Sequence, residues 1–148
     1  MTEALTFPVS LSDRGPEAFG VGTGTAKGGV RWLLRAEGLA LFAAATALYP
    51  RLGVGWGWFA LVFLTPDVSF LGYLAGPRWG AVAYNSVHGT LLPLALVALG
   101  LAMPSRTLEA LALIAFAHVG LDRALGYGLK YSTAFGDTHL GRLARKRS

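Results

Sequence analysis

From about residue 30 to residue 131 the chain is an almost unbroken apolar run, and this run constrains the fold more than any other feature. A helix needs about 20 mostly apolar residues to span a bilayer. Four such segments fit between the Pro, Gly and Arg interruptions: 32–49, 54–75, 79–103 and 107–130. The first closes at Pro50-Arg51, the second at Gly76-Pro77-Arg78 and the third before Pro104. The fourth opens with Ser105 or Thr107 as a helix cap and Glu109 in its first turn, where an acid suits the helix dipole. Short connections make neighbouring helices antiparallel. The expected fold is all-α, an integral membrane four-helix bundle of the cell membrane. Charged residues are 14% of the chain, against roughly 25% in soluble domains, which fits that class.

The cations orient the bundle. Lys27, Arg31 and Arg35 flank the first segment, Arg78 lies in the second connection, and Arg123, Lys130, Arg142, Arg145, Lys146 and Arg147 gather towards the C-terminus. The other two connections hold only Arg51 and Arg106. The positive-inside rule therefore places both termini in the cytoplasm. The same placement reads the net charge of +5 as a topology signal, so the expected partner is membrane lipid and not nucleic acid. The chain has no Cys, which excludes disulfides, thiolate metal sites and Cys nucleophiles. Residues 1–29 read as a flexible tail without a signal-peptide core, residues 30–143 as the four-helix domain, and residues 144–148 as a basic tail. The Gly53-x-Gly55-x-Gly57 opening of the second segment is small enough for close helix approach.

Inside the apolar run stand Glu37, Asp67, His88, His118 and Asp122. Ionisable groups at bilayer depth are costly, face the bundle interior and mark functional sites. Counting from Arg31, Gly76, Arg78 and Lys130 at 1.5 Å per residue, Glu37, Asp67, His88 and Asp122 fall about 9–15 Å from one end, with His118 a turn deeper. His118 and Asp122 share a helix face at i,i+4, as do Tyr84, Asn85 and His88. Pro66 frees the carbonyl of Val62 beside Asp67, and Pro93 frees that of Gly89. Imidazole plus carboxylate is a donor set for zinc, iron or manganese, and in a helical bundle such ligands converge from several helices. The candidate ligands are Asp67, His88, His118 and Asp122 for a divalent metal, zinc preferred with iron and manganese open. Glu37 is a fifth ligand or a general base, and His139 is the other candidate for handling protons. Tyr84, Asn85, Arg123 and Asp137 are the candidate supporting residues, with Asp137 and His139 placed to cap the site. Lys130 reads as a topology determinant.

Pro66-Asp67, Tyr84-Asn85-x-x-His88, the stretch His118-Val119-Gly120-x-Asp122-Arg123-Ala124-x-Gly126-Tyr127, and Phe135-x-Asp137-Thr138-His139 resemble the bacterial membrane proteins of the domain-of-unknown-function 4260 family over about residues 30–143. That resemblance implies a membrane class and leaves the chemistry open. The order Pro-Asp, His, His-x-x-x-Asp is also similar to the membrane-bound metal-dependent hydrolases of the bacterial DNA-damage response. Tyr84-Asn85 stands where that pattern has its first His, and a second acid near Asp67 is missing. The similarity supports a metal at Asp67, His88, His118 and Asp122 more than it supports hydrolysis, and the expected function is a metal-dependent membrane enzyme, hydrolysis preferred, acting on a lipid or lipid-soluble substrate. Two other functions remain open: proton or ion translocation, for which four helices would need a homo-oligomer, and an accessory protein whose polar layer only fixes helix packing.

Overall fold

A computed structural model describes residues 24–142. The expected basic tail at 144–148, and most of the expected N-terminal tail, lie outside the described residues. The helices are α1 (Gly28–Leu48), α2 (Trp56–Phe63), α3 (Pro77–His88), α4 (Leu91–Ala102) and α5 (Arg106–Leu125). Segments of 3-10 helix cover Tyr49–Leu52 and Thr65–Ala75. The second 3-10 segment continues α2, and α4 follows α3, so four helical rods pack together where four helices were expected.

Two of the rods are broken, each for a local reason. Pro66 has no N–H and cannot extend the ladder of α2. The Val62 carbonyl, expected to be free there, instead accepts the Thr65 hydroxyl at 2.7 Å. The expected continuous third helix stops at His88, because Gly89 is extended with ψ 155. The chain re-enters a helix at Leu91, which puts Pro93 in the first turn of α4, where a missing N–H costs little. The fourth helix ends at Leu125, short of the expected Lys130. Gly126 adopts the left-handed φ of 99, and Tyr127 N–H returns to the Asp122 carbonyl at 2.8 Å. The chain beyond departs from an all-α fold. Strand β1 (Asp137–Thr138) pairs antiparallel with β2 (Gly141–Arg142), and Lys130 bridges to Thr138. Ahead of α1, Ala26 N–H donates to the His139 carbonyl at 2.7 Å, so this end of the chain is tied to the hairpin.

α5 is the central helix and packs against α1, α2, α3 and α4. It runs antiparallel to α1: Arg35 Nε donates to the Ala124 carbonyl at one end, and Tyr49 packs with Ala110 and Ile114 at the other. The two backbones meet at Gly38 and Gly120. A Cβ on Gly120 would lie 2.6 Å from the Phe42 nitrogen, and one on Gly38 would lie 2.6 Å from the Arg123 Cβ. This is the close helix approach expected of Gly53, Gly55 and Gly57. There a Cβ would meet nothing within 4 Å, and Gly53 serves a left-handed turn instead.

The molecule carries its bulk outward. Ala45, Ala81, Ala110, Ala112 and Ala117 are buried, whereas Trp32, Leu61, Leu71, Leu74, Trp79 and Leu91 are exposed. Two stretches among the described residues, Trp56–Ala75 and Pro77–Ala102, are long and apolar enough to cross a membrane. The other two helices hold more charge: Arg31, Arg35 and Glu37 in α1, and Arg106, Glu109, Asp122 and Arg123 in α5.

Candidate metal centre

The break after α2, the end of α3 and the middle of α5 meet at one level. Asp67 stands in the first turn of the 3-10 segment directly after Pro66, His88 is the last residue of α3, and His118 faces both from α5. The imidazole Nε2 atoms of His88 and His118 are 3.0 Å apart. Asp67 Oδ1 lies 3.5 Å from His88 Nε2 and 3.6 Å from His118 Nε2. These three ligand atoms all fall within 4.8 Å of one another, so the cluster can hold a metal ion. A tetrahedral zinc with bonds of about 2.0–2.1 Å would set its donors about 3.3 Å apart, close to the separations here. Asp122, one turn along α5, brings Oδ2 to 3.6 Å from His88 Nε2 and 3.9 Å from His118 Nε2.

Neighbouring groups orient these donors. His88 Nδ1–H donates to the Tyr84 carbonyl at 3.0 Å, which leaves a lone pair on Nε2 directed at the cluster. The Tyr84 ring stacks on the His88 ring at 3.6 Å with an interplanar angle of 11°. Its hydroxyl donates to Asp122 Oδ2 at 2.9 Å. Both histidines are buried, whereas the Asp67 side chain is 43% exposed and presents the cluster to a cavity. That cavity, about 370 Å³, is lined by Asp67, Phe70, Tyr84, Asp122, Tyr127 and Phe135. His118 Nδ1 is buried without a hydrogen-bond partner among the described residues.

Asn85, expected as a supporting residue, clamps the segment after α5. Its amide donates to the Lys130 carbonyl at 2.8 Å and accepts from the Lys130 N–H at 2.7 Å. Lys130, read from sequence as a topology determinant, is buried. Its ammonium donates to the Phe135 carbonyl at 3.0 Å and lies 4.3 Å from the Phe135 ring and 5.0 Å from the Tyr84 ring, a cation–π arrangement.

The remaining candidates lie elsewhere. Glu37 is exposed on α1, where its charge acts on Arg123. Arg123 itself packs its Cβ against Gly38. Asp137 bonds Arg142 Nε at 2.7 Å and the Thr133 hydroxyl at 2.8 Å, and these partners hold its carboxyl below the usual value. His139 accepts the Leu129 N–H on Nδ1 at 2.8 Å, and burial lowers its pKa. Neither Glu37, Asp137 nor His139 lines the cavity beside the cluster. Phe70, which the sequence reading missed, follows Asp67 by one turn of the 3-10 segment, a period the expected α-helix did not supply. Phe135 and Lys130 arrive through turns that no periodicity describes.

A model of the family described as Domain of unknown function (DUF4260) matches residues 31–143, and the chain belongs to that family. No curated protein and no solved structure matches the chain.

Proposed function

We propose that this member of the DUF4260 family is an integral membrane enzyme that holds one divalent metal, zinc by preference, and hydrolyses a lipid or lipid-soluble substrate. The observation that carries the reading is the convergence of Asp67, His88 and His118 within one coordination sphere. Asp122 is the fourth ligand, held in place by the Tyr84 hydroxyl. A two-His, two-carboxylate set suits zinc and also admits iron or manganese. The membrane setting rests on the bulky apolar residues at the surface around a core of alanines, because a soluble monomer rarely exposes so much contiguous apolar area.

When bound, the metal supplies Lewis acidity, polarising a carbonyl and acidifying water. Water would join the four donors only as a fifth ligand; in the hydrolysis its oxygen would bond to the acyl carbon, and one of its protons would pass to Oδ2 of Asp67, the oxygen that is not the ligand atom, on the carboxylate most open to the cavity. That proton then goes to the departing oxygen as the ester C–O bond breaks. Glu37 and His139, the proton-handling groups expected from sequence, have no contact with the cluster among the described residues.

A second reading has its own observation. The 3.0 Å contact between the imidazoles is also a direct hydrogen bond, and His118 Nδ1 is then a bare acceptor, consistent with a polar network that only fixes packing. Metal content by mass spectrometry separates the two. Detergent-purified wild type should hold one metal per chain, and His88→Ala and His118→Ala should lose it while their circular dichroism stays helical. Wild type still metal-free after reconstitution with zinc, iron and manganese would leave the packing network.

A further inference from the structure

A second cavity, about 210 Å³, lies between the second rod, the third rod and α5, and Pro66, Val87, Leu96, Leu111, Ile114 and Ala115 are in its lining. Its place relative to the metal cluster is the same on every rod. On the second rod it touches Pro66, beside Asp67, while the first cavity touches Asp67 and Phe70. On the third it touches Val87 and Leu96, while the first touches Tyr84, one turn before His88. On α5 it touches Leu111, Ile114 and Ala115, one to two turns before His118, while the first touches Asp122, one turn after. The cluster therefore lies at the level where two compartments adjoin. One holds carboxylates, a tyrosine hydroxyl and aromatic faces. The other is apolar, and its one hydroxyl, that of Thr65, is already committed to the Val62 carbonyl.

We propose that the apolar compartment receives the acyl chain of a membrane-derived amphiphile, with the bond to be cleaved at the metal cluster and the polar group in the aromatic cavity. This assignment deepens the hydrolase reading and rests on it for the chemistry, though not for the binding. A lining without a free hydrogen-bond donor selects against any polar ligand part, which would lose its water bonds and gain none. The helical rods are interrupted at Leu64 and at Gly89-Thr90, and Leu64 and Leu91 are exposed, so a chain would enter sideways at this level from the surrounding acyl phase. An engineered cavity of about 150 Å³ accepts benzene, so this volume accommodates about eight carbons. Residues 87, 96, 111 and 115 then set chain length, and medium-chain substrates fit best.

The test uses the full chain reconstituted in phosphatidylcholine vesicles and photolabelled with octanoate bearing a terminal diazirine, with the labelled peptides mapped by mass spectrometry. Labelling should concentrate around Val87, Leu96, Leu111 and Ala115 and not on the exposed face of α1. Ala115→Phe should reduce it about tenfold, the equivalent of about two methylenes of lost burial, at unchanged metal content. Leu96→Ala, which enlarges the compartment by about three carbons, should raise labelling by the decanoate analogue relative to octanoate, a second readout where the phenylalanine variant does not fold; an unchanged ratio would overturn the chain site. Even labelling over all exposed helix faces, or undiminished labelling in a folded Ala115→Phe protein, would overturn the chain site. Cavity-specific labelling of a protein that takes up no metal would retain the chain site and refute the enzyme.

Discussion

Replacing Tyr84 with Phe isolates one contact at the centre. The ring stays in its stack on His88, and the buried volume barely changes. What disappears is the hydroxyl donated to Asp122 Oδ2 at 2.9 Å, the one side-chain hydrogen bond to that carboxylate among the described residues. A hydrogen bond to a charged acceptor contributes about 1.5–3 kcal/mol, which is about 10–150-fold in an equilibrium constant. Removing an outer partner of a metal ligand typically weakens affinity by about 10–100-fold, so the two scales agree. Competition of the detergent-purified protein with a chromogenic zinc chelator should therefore show a Kd raised by at least about tenfold. Asp122→Asn should weaken zinc at least as much, and the double variant should fall no further, because the hydroxyl acts only through that carboxylate. A Tyr84→Phe protein that binds zinc within about twofold of wild type would remove Asp122 from the ligand set and refute this reasoning.

The other predictions concern the scaffold around the site. Gly120→Ala forces a methyl to within 2.6 Å of the Phe42 backbone, so it should cost about 1–3 kcal/mol in thermal unfolding, whereas Gly57→Ala, which meets nothing within 4 Å, should cost nothing. Equal melting temperatures for the two would show that α1 and α5 are not in close contact. Asn85→Ala orphans the N–H and the carbonyl of Lys130, a loss of about 2–4 kcal/mol for this half-buried pair, and should speed hydrogen exchange over residues 126–142 while α1 is unchanged. Asp137 titrates below its ordinary value of 3.8 because Arg142, and then Thr133, hydrogen-bond its carboxylate. Its contribution to the terminal hairpin is thus complete above that value and lost as the pH falls through the depressed one. Hairpin protection measured on an acid titration should show this loss in wild type and no such step in Asp137→Asn.

Much of the site is legible along the chain. Helical rise places Asp67, His88 and Asp122 at similar depth with His118 a turn deeper, and the i,i+4 spacing puts His118 and Asp122 on one face, because both follow from the geometry of a single helix. Residue type supplies the ligand chemistry, and the apolar run with its Pro and Gly interruptions supplies the four rods. The same reasoning gave Glu37 a share in the site on depth alone, yet depth says nothing of rotation about the helix axis. That rotation depends on the contact between Gly38 and Gly120, residues far apart in sequence, and it turns Glu37 outward. Lys130, Phe135, Asp137 and His139 follow the left-handed turn at Gly126, where no period relates position to direction. The tertiary structure alone buries Lys130 against Phe135 and Tyr84, turns Asp137 to Arg142, and ties His139 to Leu129. Residue type and helical rise thus set which groups could offer metal ligands and at roughly what height. Packing decided which of them meet, because a helix repeats its own geometry, whereas the relation between helices is set by small residues whose partners are chosen only on folding.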